Sequence, residues 1–303
     1  MPEFHQRLSR VFESIAAKVE FIYVNDGSTD NTLDIMHGLR QTDSRVAIVD
    51  LSRNFGKEIA LTAGLDHARG DAAVILDSDL QHPPELIPEL IKHWREGYDV
   101  VYAKRVSREG DNFLKRAAAQ AFYRLIKKIS RSSIPEGTGD YRLLSRRVVD
   151  SLIKLRERHR FMKGLFSWVG FSQKAVCYQP DRRYAGNTKW NFWSLWTLAL
   201  EGITSFTTAP LKIATYFGLI VAVAAFLYGG FSIYMTLIYG NPIAGYPSLL
   251  VAILFLGGVQ LITIGLIGEY LGRIFDETKQ RPLYILKDYL SSKATDSTSL
   301  SKT

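Results

Sequence analysis

The chain has 303 residues, 47% of them hydrophobic and 22% charged, with a formal net charge of +8 and a mean hydropathy of −0.02. That balance excludes an intrinsically disordered chain and a collagen-like repeat, and a single cysteine, Cys177, excludes a disulfide-stapled mini-protein. The positive charge suits nucleic acid or anionic lipid headgroups, and the placement of the apolar residues favours the lipid.

The opening Met1-Pro-Glu-Phe-His-Gln-Arg is polar, which predicts that a later apolar span, not a cleaved signal, directs insertion. Short apolar runs at 20–24, 46–51, 72–76 and 99–103 predict strands, with helices over 31–41, 58–68 and 85–96 between them. This alternation predicts a mostly parallel α/β sheet, in which ligand-binding residues gather just beyond the carboxyl ends of the strands. Those ends carry Asn25-Asp-Gly-Ser28, Ser52-Arg-Asn54 and Asp77-Ser-Asp79. Asp77 and Asp79 are two hard carboxylates at a strand end, suited to Mg²⁺ or Mn²⁺ holding a diphosphate, although aspartates there also form turns and helix caps. Asp30 reads as a cap, and Asp26 as more than one. His82 is readable as a third ligand or a turn residue, and Lys57 as a phosphate contact or an exposed side chain, so neither joins the candidate site.

Residues 112–131 place Leu114, Ala118, Ala121, Phe122, Leu125 and Ile129 at helical spacing among Lys115, Arg116, Arg124, Lys127, Lys128 and Arg131. A basic amphipathic helix of this kind lies in a membrane interface or packs against protein. Further on, Asp140 and Arg142 share one side of an extended segment, and Arg182, Arg183 and Lys189 flank a Gly186-Asn-Thr188 turn able to bind phosphate. Trp190, Trp193 and Trp196 follow at once, an aromatic cluster suited to the headgroup level. From Ile213 to Gly268 there is no Asp, Glu, Lys or Arg. Helices over 213–238 and 248–268 would be about 39 and 31 Å long, enough to cross a hydrocarbon layer of about 30 Å. A short link rich in Gly and Pro makes them a hairpin. Lys212 before the block and Arg273, Lys279, Arg281 and Lys287 after it place both termini in the cytoplasm of a multi-pass inner-membrane protein. Glu269 is spaced to meet Arg273, glycines 257, 258, 265, 268 and 272 permit close helix packing and a homo-oligomer, and the tail beyond Leu290 reads as disordered.

The ordered set Val24-Asn-Asp-Gly-Ser-Thr-Asp-Asn-Thr32, Asn54-Phe-Gly-Lys-Glu58 and Asp77-Ser-Asp-Leu-Gln-His-Pro-Pro-Glu85 resembles the family 2 glycosyltransferases with a GT-A, Rossmann-like fold. With Thr138-Gly-Asp-Tyr-Arg142, Arg183-Tyr-Ala-Gly-Asn-Thr-Lys-Trp190 and the two spans, it is similar to the polyprenyl-phosphate glycosyltransferases, most of all the bacterial bactoprenol glucosyltransferases, relatives of dolichyl-phosphate mannose synthase. The resemblance implies an inverting transfer of glucose from UDP-glucose to undecaprenyl phosphate, with Mg²⁺ or Mn²⁺ as cofactor. It places Asp26, Asp77 and Asp79 at the nucleotide sugar, Asp77 and Asp79 also at the metal, Asp140 as catalytic base, and Thr188 and Lys189 at the lipid phosphate, where the charge of Arg142 also suits. The implied partners are a nucleotide-sugar donor, the polyprenyl phosphate and anionic lipids, with no nucleic acid.

Family members open with an apolar strand and a Pro-x-Tyr-Asn-Glu type segment that this chain lacks, which predicts that the natural protein carries residues before Met1. The domain reading is a catalytic part over 1–189, an interfacial helix over 190–211, a two-span hairpin over 212–272 and a cytosolic tail over 273–303. Alternatives are the same chemistry with GDP-mannose or a UDP-amino-sugar, or a non-catalytic lipid-binding scaffold. A processive synthase is disfavoured, because 158–163 offers no Gln-x-x-Arg-Trp motif.

Overall fold

Alternation of buried and half-buried residues makes Phe21–Asn25 a strand, β1, and a fully buried apolar run makes Val46–Leu51 its parallel neighbour β2. The computed structural model describes residues 1–15, 17–105, 138–178, 209–240 and 245–293. The described residues form two compact units, one built from the chain up to 178 together with 281–293, the other lying within 200–280.

In the first unit, helix α1 (Pro2–Glu13) precedes β1 and presents Phe4, Leu8 and Val11 along one face. Helix α2 (Thr32–Thr42) links β1 to β2, and α3 (Lys57–His67) links β2 to β3 (Ala72–Ile75). A 3₁₀ turn (Pro84–Leu86) leads into α4 (Ile87–Arg95), whose buried Ile87 and Leu90 stand one turn apart. β4 (Val100–Arg105) follows, then β5 (Thr138–Ser145), α5 (Arg146–Lys154), α6 (Met162–Trp168) and β6 (Gln173–Tyr178). The two faces of β2 serve two cores. Val46 and Ile48 join the larger one with Phe21, Tyr23, Leu90, Val101 and Tyr141, while Val49 and Leu51 meet Ala63 of α3 in a smaller one.

The expectation of a mostly parallel sheet is corrected by the strand pairing. The strands form two sheets, ordered β1-β2-β7 and β3-β5-β4-β6, where β7 is Leu286–Leu290. Among the described residues only β1 with β2 and β4 with β6 run parallel; β7 runs against β2, and β5 runs against both β3 and β4. Alternation implies parallel neighbours only where each helix is a crossover between them. β5 instead enters between strands already placed, and β7 arrives from beyond the apolar block.

The reading of 273–303 as a tail is corrected too, because 281–293 returns to the first unit. Ser52 N–H donates to the Ile285 carbonyl (2.9 Å), Tyr284 OH to Asp66 (2.8 Å) and Arg40 to the Ser291 carbonyl (2.8 Å). Residues 294–303, and with them the last part of the disorder reading, lie outside the described residues.

The second unit contains α7 (Ala209–Tyr239) and α8 (Tyr246–Thr278), about 46 and 50 Å long at 1.5 Å per residue. Both are apolar enough to cross a membrane, and Phe226, Leu237, Leu261 and Ile262 are among the large side chains they expose. Both predicted spans lie inside these helices. α8 runs on past Gly268 to Thr278, and there Arg273 pairs with Glu269 at 3.1 Å, as their spacing predicts.

Candidate active site

The loop after β1 turns sharply because Gly27 takes φ +64°, and a Cβ there would lie 2.4 Å from both Arg53 C and Asn54 N. No side chain fits that approach, so the loops after β1 and β2 meet backbone to backbone. Asp26 fastens them: its carboxylate accepts the Phe55 N–H (2.7 Å) and the Gly56 N–H (2.9 Å). Behind it, Asn25 donates to buried Asp50 (2.7 Å) and accepts the Ser28 N–H (3.2 Å). Asp30 accepts the Thr32 N–H (3.1 Å) and hydroxyl (2.5 Å), so it closes a turn just ahead of α2, whose N-cap is Asn31, rather than capping the helix itself.

Gly56, at φ +97°, starts α3 so that its first residue, Lys57, reaches across to two other segments. The ammonium lies 2.8 Å from Asp77 Oδ2, just beyond β3, and 2.7 Å from Asp140 Oδ2 in β5. Asp79 folds back onto its own turn and accepts the Gln81 N–H (3.0 Å) and side-chain amide (2.7 Å). Between them Leu80 takes φ +58°, a left-handed conformation unfavourable by about 1–2 kcal/mol for a non-glycine residue, while its side chain packs against the larger core. Backbone strain is thus held beside the paired carboxylates.

Asp140 is 9% exposed, and its Oδ1 is buried with no hydrogen-bond partner among the described residues. Burial pushes this carboxyl up, but the hydrogen bond and charge of Lys57, helped by Lys163 and Arg142, outweigh it and hold the group below its ordinary range. Asp140 is therefore an anion at neutral pH. Burial opposes the Lys57 ammonium, and its bonds to Asp140 and Asp77 outweigh that and push its pKa up. Next to it, Glu58 accepts the Met162 N–H (3.0 Å), and burial raises its carboxyl.

Arg142 shares the face of β5 with Asp140, as predicted, but the structure turns it inward. It is 4% exposed, donates to the carbonyls of Gly139 (2.7 Å) and Asp140 (3.3 Å), and lies 3.8 Å from the Phe166 ring centroid. Burial lowers its pKa to about 10. In this arrangement the guanidinium braces the backbone that carries Asp140. His82, left out of the sequence-based site, also belongs to it. Its Nδ1 is 2.6 Å from Tyr178 OH, its ring lies against Tyr141, and its edge faces Gly139. Tyr141 OH closes the turn by donating to the Pro83 carbonyl (3.0 Å).

The structure thus brings Asp77 and Asp140 to one ammonium, with Asp26 anchoring the adjoining loop and Asp79 in the turn beyond. Thr188, Lys189, Arg182, Arg183, the helix predicted over 112–131 and the tryptophan cluster lie outside the described residues. Among the described residues, no three His, Cys, Asp or Glu side chains converge on a common point. One or two carboxylates are nevertheless the donor set that Mg²⁺ takes when substrate phosphates and water complete its shell, so Asp77 and Asp79 fit such an ion.

The described residues thus present a mixed α/β domain with acidic residues gathered beyond β1 and β3, and two helices apolar enough to cross a membrane. The family described as glycosyl transferase family 2 matches residues 3–153, and that described as GtrB C-terminal hairpin matches residues 209–274. The bactoprenol glucosyl transferase of Shigella phage SfV is 53% identical over 95% of this chain and 94% of its own. An uncharacterised glycosyltransferase of Synechocystis is 51% identical, over 93% and 89% respectively. Among solved structures, a mannosyltransferase of Pyrobaculum calidifontis aligns with a TM-score of 0.42 at 17% identity, over 65% of this chain and 56% of that one. The chain belongs to glycosyl transferase family 2.

Proposed function

We propose that the protein transfers glucose from UDP-glucose to undecaprenyl phosphate, with inversion at the anomeric carbon, at the cytosolic face of the inner membrane. One observation carries the reading: the acidic cluster on Lys57 and the apolar hairpin occur in one chain that matches bactoprenol glucosyl transferases almost end to end. The same relatives support a nucleotide-sugar donor and a polyprenyl phosphate acceptor.

In this reading Asp77 and Asp79 hold Mg²⁺ or Mn²⁺ with the donor diphosphate. Bound there, the ion would supply charge stabilisation to the departing nucleotide diphosphate. Asp26 fixes the loop against which the nucleotide rests. Asp140 stands as an anion at the reacting centre. The acceptor phosphate has a second pKa of about 6, so it is largely dianionic at pH 7, and Asp140 orients it or accepts the proton of the remaining monoanion. Arg142 keeps the Gly139–Asp140 backbone in place, and Thr188 and Lys189 take the lipid phosphate. The basic flanks of the hairpin support a cytoplasmic position for both termini, where the net charge of +8 favours anionic lipid.

The test is a donor panel. Purified protein in detergent with Mg²⁺ or Mn²⁺ and undecaprenyl phosphate is offered UDP-glucose, a UDP-amino-sugar or GDP-mannose. The reading expects a lipid-linked hexose from UDP-glucose in preference to the others. A preference for another donor revises the sugar, and no product from any donor supports the scaffold alternative.

A further inference from the structure

One cation in the site serves two masters. The Lys57 ammonium lies 2.8 Å from Asp77, just beyond β3, and 2.7 Å from Asp140 in β5, two residues that carry different tasks in the proposed reaction. In that reaction Asp77 serves the donor and Asp140 the transfer itself. The Lys57 side chain is 54% exposed, against 11% for Asp140, so its tip can leave without unpacking its surroundings. Asp140 has little else to hold. Its Oδ1 is unpartnered among the described residues, and the nearby Arg142 guanidinium is committed to the carbonyls of Gly139 and Asp140. Lys57 itself is placed accurately: it is the first residue of α3, behind Gly56 at φ +97° and the two N–H groups pinned by Asp26.

We infer that Lys57 is an internal stand-in cation which holds Asp77 and Asp140 together in the donor-free enzyme and passes to the donor's diphosphate when the nucleotide and its divalent ion take Asp77. The inference rests on the proposed glycosyl transfer. A divalent cation and the ammonium cannot share the same Asp77 oxygen at close range, because like charges repel and the carboxylate has few lone-pair sites. Loss of the Asp77 contact leaves the ammonium at the end of a four-carbon stem, beside the most strongly anionic group to enter the site. Donor loading and the release of Asp140 to the acceptor then become one event. A resting Asp140 is kept paired, so that the buried carboxylate does not stand uncompensated between turnovers.

The idea makes opposite predictions for two binding measurements on the full chain in detergent, neither of which uses turnover. Mn²⁺ alone is titrated and the free ion followed by electron paramagnetic resonance, and UDP is titrated by calorimetry at saturating Mn²⁺. Lys57→Met removes the competing ammonium, so Mn²⁺ without nucleotide should bind at least about threefold more tightly than to wild type. The same variant loses the diphosphate contact, so UDP with Mn²⁺ should bind at least about tenfold more weakly. Lys57→Arg keeps a cation and should return both affinities towards the wild-type values. If Lys57→Met does not fold, Lys57→Gln carries the same expected signs. A lysine that merely braced the loops would weaken both ligands together, so Mn²⁺ affinity unchanged or lowered in the variant overturns the inference. If wild type binds Mn²⁺ but no uridine or guanosine nucleotide, the proposed glycosyl transfer fails. The stand-in role is then still judged by the Mn²⁺ arm.

Discussion

Replacing Arg142 separates two roles that its position in the sequence leaves open. A residue that grips the acceptor phosphate would, on substitution, raise the acceptor KM and leave the fold intact. The structure instead buries the guanidinium on the carbonyls of Gly139 and Asp140 and over Phe166. A hydrogen bond from a charged donor contributes about 1.5–3 kcal/mol, and the 2.7 Å bond to Gly139 qualifies while the 3.3 Å bond to Asp140 adds less. The ring contact adds about 0.5–2 kcal/mol. Against these stands the cost of burying the charge, visible in a pKa lowered to about 10. Arg142→Met fills most of the volume and removes that cost, so a net loss of about 1–3 kcal/mol is expected. Chemical denaturation of the purified protein measures it, followed by steady-state transfer at varied undecaprenyl phosphate. The expected result is lower stability and lower kcat, with acceptor KM within about threefold of wild type. Unchanged stability with an acceptor KM raised tenfold or more would refute the bracing role and restore the phosphate contact.

Gly27→Ala should abolish UDP binding in calorimetry, because the added methyl group meets backbone atoms at 2.4 Å and φ +64° is strained for alanine. Tyr284→Phe removes one of the two hydrogen bonds to Asp66 Oδ2, which keeps that from Arg156 (2.8 Å). It should cost about 0.5–1.5 kcal/mol in denaturant unfolding and expose 281–293 to protease. Acid stability should depend on Asp99. Hydrogen bonds from Arg147, outweighing burial and helped by Ser172 and Ser145, hold its pKa below the ordinary value. A carboxyl lowered on folding stabilises the protein above its unfolded pKa of about 3.9 and loses that contribution as pH falls through the folded value. The stability gap between wild type and Asp99→Asn should therefore be full at pH 7 and shrink below about pH 4; a gap that widens on acidification contradicts the assignment.

Much of the site was legible because β1, β2 and β3 are short apolar runs that each end in polar residues. A strand end of this kind exposes the positions where ligands gather, so Asp26, Asp77 and Asp79 stood out. The apolar hairpin was legible for the same reason of contrast, as charge disappears over a long stretch. Less visible was anything set by direction in space. Asp140 and Arg142 share a face of β5, yet only the fold shows one carboxylate meeting Lys57 and the guanidinium turning to its own backbone. Lys57 and His82 were ambiguous because a flexible or turn-borne side chain has no periodicity to betray its target. β7 escaped notice as an edge strand carrying Lys287 and Asp288, whose charges resemble a solvated tail and protect an open sheet edge. Antiparallel insertion of β5 left no mark in the alternation, since period and length are the same in either direction.

The most direct test of the central claim is the rate of hexose transfer from UDP-glucose to undecaprenyl phosphate by wild type and by Asp140→Asn, with UDP binding measured on both. The account predicts inverted glucosyl lipid from wild type and a kcat lower by about 10²-fold in the variant, the scale of loss expected when a reacting group is misplaced by about 1 Å, with UDP affinity within a few-fold. Wild-type turnover in Asp140→Asn would contradict it.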